Sequence, residues 1–380
     1  FKATVDSLKA QAAAHGHESI MLSSGDNFLA GKEFNASQAL GTYFDAVALD
    51  AIGYDAICIG NHDFDFGPSV LAEMISAFED NPAPYLSANL DFSNEDDMQT
   101  LVDAGRVKPY TIIDKGSEKI GVIGLTTPLI TEISSPGNVI VTDALADTVN
   151  ACVESLEAEN VNKIILISHL QSINEDTALA SHISGVDVMI AGGGDELLAN
   201  DPVLGNPYNA EIAGPYPLVE QDAEGNDIYI VTTPGNYRYA GNLTVQFDAN
   251  GIITNIMDGA DPVLVIGQQD ETLVSEVIDP INAYIEDLTN NVIAQTEVAL
   301  DFLKESLRTG ETNGGNLVAD ALLWQANQNA EAFGAAQADI AIQNGGGLRL
   351  AGVVEAGQMK EVTTYDICAF DNNVSIIEGL

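Results

Sequence analysis

Ser19-Ile20-Met21-Leu22-Ser23-Ser24-Gly25-Asp26-Asn27 and, further along, Ala56-Ile57-Cys58-Ile59-Gly60-Asn61-His62-Asp63-Phe64-Asp65 share one plan. Each begins as an apolar run that reads as a buried strand, turns at a glycine, and ends in polar side chains. A carboxylate at one strand end, with an amide and an imidazole at a second, brings oxygen and nitrogen donors to one edge of a sheet. The carboxyl edge is where α/β folds build their sites. That donor mixture suits divalent cations that activate water against phosphate esters.

The alternation extends along the chain. Residues 3–16 and 36–52 read as helices flanking the first strand, at 19–23, and a strand at 55–59 follows. Then come helix 68–79, strand 84–88, hairpin-like strands 110–114 and 119–125, helix 143–158, strand 163–168, helix 175–183 and strand 186–191. Such alternation predicts a layered α/β domain. The Pro/Gly-rich stretch 201–217 reads as a loop or insertion, and Asp227–Thr233 with Gly241–Asp248 as antiparallel strands closing the domain. From about residue 270 the pattern changes: 272–289 is a helical run without glycine, fit for a connector. Strand 292–300, helix 314–330, strand 338–342, a glycine turn at 344–347 and a last strand at 366–370 then predict a second α/β unit. There is no internal repeat and no low-complexity tract.

The chain has 380 residues, long for one compact domain. Its 57 acidic against 13 basic residues give a net charge of −44. Such a surface repels nucleic acids and anionic lipid. Acidic proteins of ordinary fold stay soluble at high ionic strength, where screening removes self-repulsion, so a salt-adapted source is expected. The acidic residues are scattered among periodic apolar segments, which argues against a disordered acidic tail. No apolar run approaches the ~20 residues of a membrane helix. The three cysteines, Cys58, Cys152 and Cys368, have no C-x-x-C spacing and read as small buried hydrophobes. Phe1 opens in mid-helix pattern and Gly379-Leu380 carries no stop signal, so both ends read as cut ends of a longer protein.

Asp26 alone would be a turn former. Asn61 and His62 serve no buried strand, and Asp65, three residues past His62, can bond one imidazole nitrogen and fix its tautomer. His169 closes the strand Lys163–Ser168 and gains weight from the other two strand ends. His15, His17 and His182 read as surface residues. Val186-Asp187-Val188-Met189-Ile190 runs into Ala191-Gly192-Gly193-Gly194-Asp195-Glu196, either an acidic glycine turn or a phosphate-facing loop with Asp195 or Glu196 as an oxygen ligand. No G-x-G-x-x-G follows the early strands, which excludes a dinucleotide-binding oxidoreductase.

These strings resemble the 5′-nucleotidase family of calcineurin-like metallophosphoesterases. Gly25-Asp26, Gly60–Asp65 and Ser168-His169 match its ordered metal motifs, while Glu311–Asp320 and Asn344-Gly345-Gly346-Gly347-Leu348-Arg349 match its C-terminal nucleotide-binding domain. The resemblance covers nearly the whole chain. It implies an α/β fold: a four-layered α/β/β/α metallophosphoesterase sandwich over 1–265, a linker helix over 266–291 and a smaller α/β domain over 292–380. It also implies two divalent metal ions (Zn, Mn or Mg), with Asp26 bridging them and Asn61 and His169 binding one of them; where the family pattern is broken, either Asp195 substitutes as an oxygen ligand or one metal is held weakly. His62, oriented by Asp65, would stabilise the transition state or protonate the leaving group, while Arg308, Asn344, Gly346 and Arg349 would hold the nucleotide, with Phe370 stacking on the base. The implied reaction is hydrolysis of nucleoside monophosphates or related phosphate esters by metal-hydroxide attack on phosphorus, in a periplasmic or secreted protein. The substrates include 5′-nucleotides, with 2′,3′-cyclic and 3′-nucleotides as relatives. The alternatives are a broad alkaline-type phosphatase and a degenerate nucleotide-binding protein without turnover. The sequence departs from the family pattern in two places: the opening Asp-x-His is not in the chain, and Gly193-Gly194-Asp195 stands where His-x-His is usual. The smaller domain also reads as incomplete, because the family's second base-stacking aromatic would lie past Leu380.

Overall fold

Two sheets form the centre of the first unit in the computed structural model, which describes residues 1–208, 210–370, 372 and 374–377. Residues 371, 373 and 378–380 of the expected C-terminal domain lie outside the described residues. The chain divides into one unit of residues 1–29 and 43–277 and a second of 30–42 and 278–380. The sequence reading placed a linker helix over 266–291. The helical run there begins at Glu271, passes through a π turn at Val274–Ile278 and continues over Asp279–Asn290, with the division between units inside it.

In the first unit, Leu22–Ser23, Ala56–Cys58, Tyr85–Leu86 and Val107–Lys108 form a parallel four-stranded sheet in that order. The second sheet has six strands, ordered Leu218–Gln221, Asp227–Val231, Val188–Gly192, Ile164–His169, Glu118–Thr126 and Tyr110–Lys115. Its four central strands are parallel and its two edges antiparallel. Asp227–Val231 therefore joins this sheet beside Val188–Gly192, and does not pair with the 241–248 segment as expected. Val245–Phe247 pairs instead with Ile253–Ile256.

Alternation along the short strands builds the layers. Ala56, Cys58 and Leu86 meet Val122 and Ile167 of the larger sheet in a fully buried seam. Ile57, Ile59 and Tyr85 are equally buried on the opposite side, where Leu49, Ile52, Leu71 and Ile75 of the helices Phe44–Ile52 and Pro68–Ser76 are also buried. The larger sheet's other face packs on helices Leu145–Ala158 and Ile173–Ala180 through Val149, Val153, Leu156, Leu179 and Ile183. This is the four-layered sandwich.

The sheets touch most closely at Gly124, where a Cβ would lie 2.3 Å from the Leu86 carbonyl oxygen. The Ala88 amide donates to the Gly124 carbonyl at 2.8 Å across this contact. Beside it, Thr126 Oγ1 donates to the Ile59 carbonyl at 2.6 Å, and Asn89 exchanges hydrogen bonds with the Thr126 backbone at 2.8 and 2.9 Å. Thr126, Asn89 and Ile59 are buried and these polar groups are paired, so the rivet orders both sheets just below Gly60.

In the second unit, Val292–Thr296 pairs with Gly357–Lys360 and Leu300–Asp301 with Val353–Val354, so the expected strand 292–300 is two strands. Leu300, Phe302, Leu348 and Ile367 form its core. The expected strand 366–370 does not form: Asp366 and Ile367 end a helix, Glu361–Ile367, closed by Cys368 N–H donating to Thr364 O at 2.8 Å, and 368–370 take no regular structure. Cys368 is exposed. Residues 338–342 take no strand pairing, and Ile340 and Ile342 are exposed. The expected helix 36–52 breaks at Gly41, whose left-handed φ of 69° ends Lys32–Leu40 before Phe44 starts another helix. Lys32–Leu40 belongs to the second unit, where Lys32 Nζ pairs with Asp366 at 2.6 Å. Among the described residues no helix is long and apolar enough to cross a membrane.

Asp187, at the start of Val188–Gly192, accepts from the Ile164 amide at 2.8 Å. Burial pushes its pKa up to about 7, against the opposing Ile164 bond and the Lys163 charge. The unfolded value is ~3.9, so folding favours the protonated acid, and stability falls as pH rises toward the folded value. Asp187→Asn keeps the acceptor without the charge. Its melting temperature should exceed that of the parent by more at pH 8 than at pH 5, with each kcal/mol worth about 2–4 °C. A difference independent of pH would sink the assignment.

Candidate functional site

Strands Leu22–Ser23 and Ala56–Cys58 of the smaller sheet and Ile164–His169 of the larger one end near one another; the loops after the first two carry Asp26, Asn61 and His62, and His169 closes the third. Backbone contact sets the spacing. A Cβ on Gly60 would lie 2.2 Å from Asp26 Oδ1, and one on Gly25 2.8 Å from both Gly60 N and His169 Nδ1. Asp26 itself takes φ 53°, in the left-handed region, which costs a non-glycine residue ~1–2 kcal/mol. The His62 amide holds it by donating to Asp26 Oδ1 at 2.8 Å. Asp63 is buried and accepts from the Gly60 amide at 2.6 Å. Burial, with the Asp26 charge adding, pushes the Asp63 carboxyl above its usual range.

His169 fixes the chemistry of the cluster. Its ring is buried, and Nδ1 lies 2.6 Å from the Ser24 carbonyl, which can only accept. Nδ1 therefore carries the hydrogen, and the Nε2 lone pair of the neutral ring faces Asp26 Oδ2 at 3.0 Å and Asn61 Oδ1 at 3.2 Å. Three acceptor atoms converge with no donor among them unless a proton occupies Nε2 or a cation lies between them. Burial alone would lower the His169 pKa, but the Asp26 hydrogen bond and charge outweigh it and the net shift is upward. One carboxylate oxygen, one amide oxygen and one imidazole nitrogen form a donor set that fits a divalent cation such as Zn, Mn or Mg.

His62 stands beside this cluster with Nδ1 2.8 Å from Asp65 Oδ2. Asp65 is the more buried partner, at 5% side-chain exposure against 25% for His62, and it holds the ring's tautomer. Asp195 is exposed and lies near Gly235. The structure does not bring it to Asp26 and His169, and among the described residues no group of three His, Cys, Asp or Glu side chains converges. Gly193 fits flush on the Leu170 carbonyl, where a Cβ would lie 1.6 Å away. Sequence reasoning missed Gln171, whose Nε2 donates to Asn61 Oδ1 at 3.1 Å. Its only signal was its position two residues past His169.

In the second unit the glycine turn Gly345–Gly347 sits against the backbone of Leu307 and Arg308, where a Cβ on Gly345 would lie 2.3 Å from Leu307 O. This brings Arg308 and Asn344 together. The Arg349 guanidinium lies 5.3 Å from the Phe370 ring centre and reaches Gly346 O at 3.4 Å. A cavity of about 320 Å³ beside the turn is lined by Leu307, Thr312, Asn316, Gln343, Gly345 and Leu348, among others.

The two-sheet sandwich has the fold of the calcineurin-like phosphoesterase YfkN from Bacillus subtilis, on which it superposes with a TM-score of 0.55 at 20% identity, covering 76% of this chain and 90% of that one. Residues 292–378 match the family model of the 5′-nucleotidase C-terminal domain. The chain is 31% identical over 388 residues to the trifunctional nucleotide phosphoesterase protein YfkN of Bacillus subtilis (strain 168), covering 95% of this chain and 24% of that protein. To the 5′-nucleotidase of Diplobatis ommata it is 33% identical over 307 residues, covering 79% and 50%. The crystal structure of a 5′-nucleotidase precursor from Thermus thermophilus superposes with a TM-score of 0.73 at 31% identity, covering 95% of this chain and 66% of that one. The chain thus belongs to the 5′-nucleotidase family, and spans from a quarter to half the length of these two curated relatives.

Gly60→Ala tests the packing of the cluster. The added methyl must displace Asp26, an overpacking cost of about 1–3 kcal/mol, so the melting temperature should fall by several degrees. An unchanged value would show that the two turns do not need their close approach.

Proposed function

We propose that this chain is a metal-dependent nucleotide phosphohydrolase. The observation that carries the reading is the convergence of Asp26 Oδ2, Asn61 Oδ1 and His169 Nε2 beside the His62–Asp65 pair. Divalent cations held by these three residues supply Lewis acidity toward the phosphate oxygens and an activated water. His62 in its imidazolium form, with Nδ1–H bonded to Asp65, would give its Nε2 proton to the departing nucleoside oxygen and be left as the neutral Nδ1–H ring. Arg308, Asn344, Gly346 and Arg349 hold the nucleotide by hydrogen bonds, and the Phe370 ring, braced by Arg349, offers an aromatic face to the base. The substrates are nucleoside 5′-monophosphates, with 2′,3′-cyclic and 3′-nucleotides as further candidates. The names of the relatives support this substrate class. A periplasmic or secreted, salt-adapted protein accords with the precursor form of the Thermus relative and with the net charge of −44. The exposed position of Asp195 favours a second reading, a nucleotide-binding protein without turnover.

Phosphate release from AMP, 2′,3′-cyclic AMP and p-nitrophenyl phosphate, with Zn²⁺, Mn²⁺ or Mg²⁺ at high salt, separates these readings. Metal-dependent hydrolysis is expected, and AMP binding without phosphate release would establish the second reading. His62→Ala should lower kcat by about 10²–10⁴-fold while bound metal stays at the parent level. Equal loss of both would remove His62 from the leaving-group role. Phe370→Ala should raise KM for AMP by roughly tenfold, the lower end of a stacking energy of ~1–3 kcal/mol per base, and leave p-nitrophenyl phosphate turnover unchanged. If both substrates suffer alike, Phe370 does not read the base.

A further inference from the structure

The Asn61 side chain can serve a cation in only one of its two amide orientations. With Oδ1 inward it adds a third lone pair to those of Asp26 Oδ2 and His169 Nε2. Turned over, its NH₂ would donate to those same acceptors and satisfy the cluster internally, with no place for a cation. Nothing on Asp26 or on neutral His169 selects the first orientation, because both offer acceptors.

Gln171, in the orientation its own amide takes in the structure, favours the first. Its Nε2 donates to Asn61 Oδ1 at 3.1 Å, a bond that the turned-over amide could not accept. The backbone carrying Gln171 is itself fixed. Its amide donates to Glu175 Oε2 at 3.4 Å, the Ile173 amide donates to Glu196 Oε1 at 3.2 Å, and Gly193 lies flush against Leu170 O. Gln171 is thus delivered by a braced turn to the one atom whose identity, oxygen or nitrogen, decides whether the cluster can take a cation. We infer that Gln171 is a positioning residue that holds the Asn61 amide with its oxygen toward Asp26 and His169, and so sets the cation affinity of the site. The inference rests on the cation reading proposed above and assigns a role to a residue outside the ligand set.

Calorimetric titration of the full chain with Mn²⁺ alone tests it. Gln171→Leu keeps the side-chain bulk and removes the donor. It should weaken Mn²⁺ binding about tenfold, the lower range for loss of a partner that orients a ligand, with the melting temperature of the cation-free protein unchanged. The decisive comparison is the same change in an Asn61→Asp background. A carboxylate has oxygen on both sides, so there is no orientation left to select, and Gln171→Leu should then change affinity less than twofold. Equal loss in both backgrounds would mean that Gln171 merely shapes the loop, and no loss in either would mean that it does nothing for the cation. Both results overturn the inference. Failure of the unsubstituted chain to bind Mn²⁺ is a different result, which overturns the cation reading and this inference with it.

Discussion

The first unit depends on an exclusion of volume: two glycine turns occupy space that side chains would otherwise claim. Gly25 and Gly60 let the Asp26 and Asn61 loops touch, and Gly124 lets the two sheets touch behind them. Between these contacts runs the buried network of Thr126, Asn89, Ser87 and the Ile59 carbonyl. Strand pairing brings Asp26 and Asn61 together, the packing of the two sheets brings His169 to them, and the missing Cβ atoms let their polar atoms come into bonding range. The same density explains why Asp63 is buried where its burial is costly: its carboxylate bonds the Gly60 amide and ties down the turn that Asp26 packs on.

Much of this was legible in the sequence because parallel strands buried on both faces write themselves as short aliphatic runs, and site turns write themselves as glycine followed by polar residues. The hairpin of Tyr110–Lys115 and Glu118–Thr126 and the strand ending at His169 follow from that signal alone. Other elements were not legible. Residues 338–342 have strand-like alternation, but a strand is defined by its partner, and no pairing forms there among the described residues. Residues 366–370 have the apolar pattern of a strand, yet Asp366 and Ile367 close a helix that buries Ile367 against Phe302 and Leu348, an instance of packing overriding propensity. Gln171 could not be found by spacing, because its partner lies 110 positions away and meets it only through the sheet.

Electrostatics divides the work of the molecule. A chain of net charge −44 repels a phosphate ester at long range, so recognition must come from local features that a Debye length of ~8 Å at physiological salt leaves intact. The cluster of Asp26, Asn61 and His169 presents acceptor atoms, so on the proposed reading it would attract a phosphate ester only with a cation bound. Arginine is scarce in this sequence, and two of its members, Arg308 and Arg349, stand at the glycine turn of the second unit.

The excursion of residues 30–42 into the second unit has a consequence for synthesis on the ribosome. This segment emerges early, between two pieces of the first unit, but its partners in helix Asp279–Asn290 and at Asp366 are made last. Phe34, Ala36 and Ser37, all buried in the finished protein, must wait through most of translation without the surface that covers them. The first unit therefore has to close around a gap in its own chain. A gene cut after residue 277 would leave the helix Lys32–Leu40, with Phe34 and Ala36 on it, without the partners it has in the whole chain.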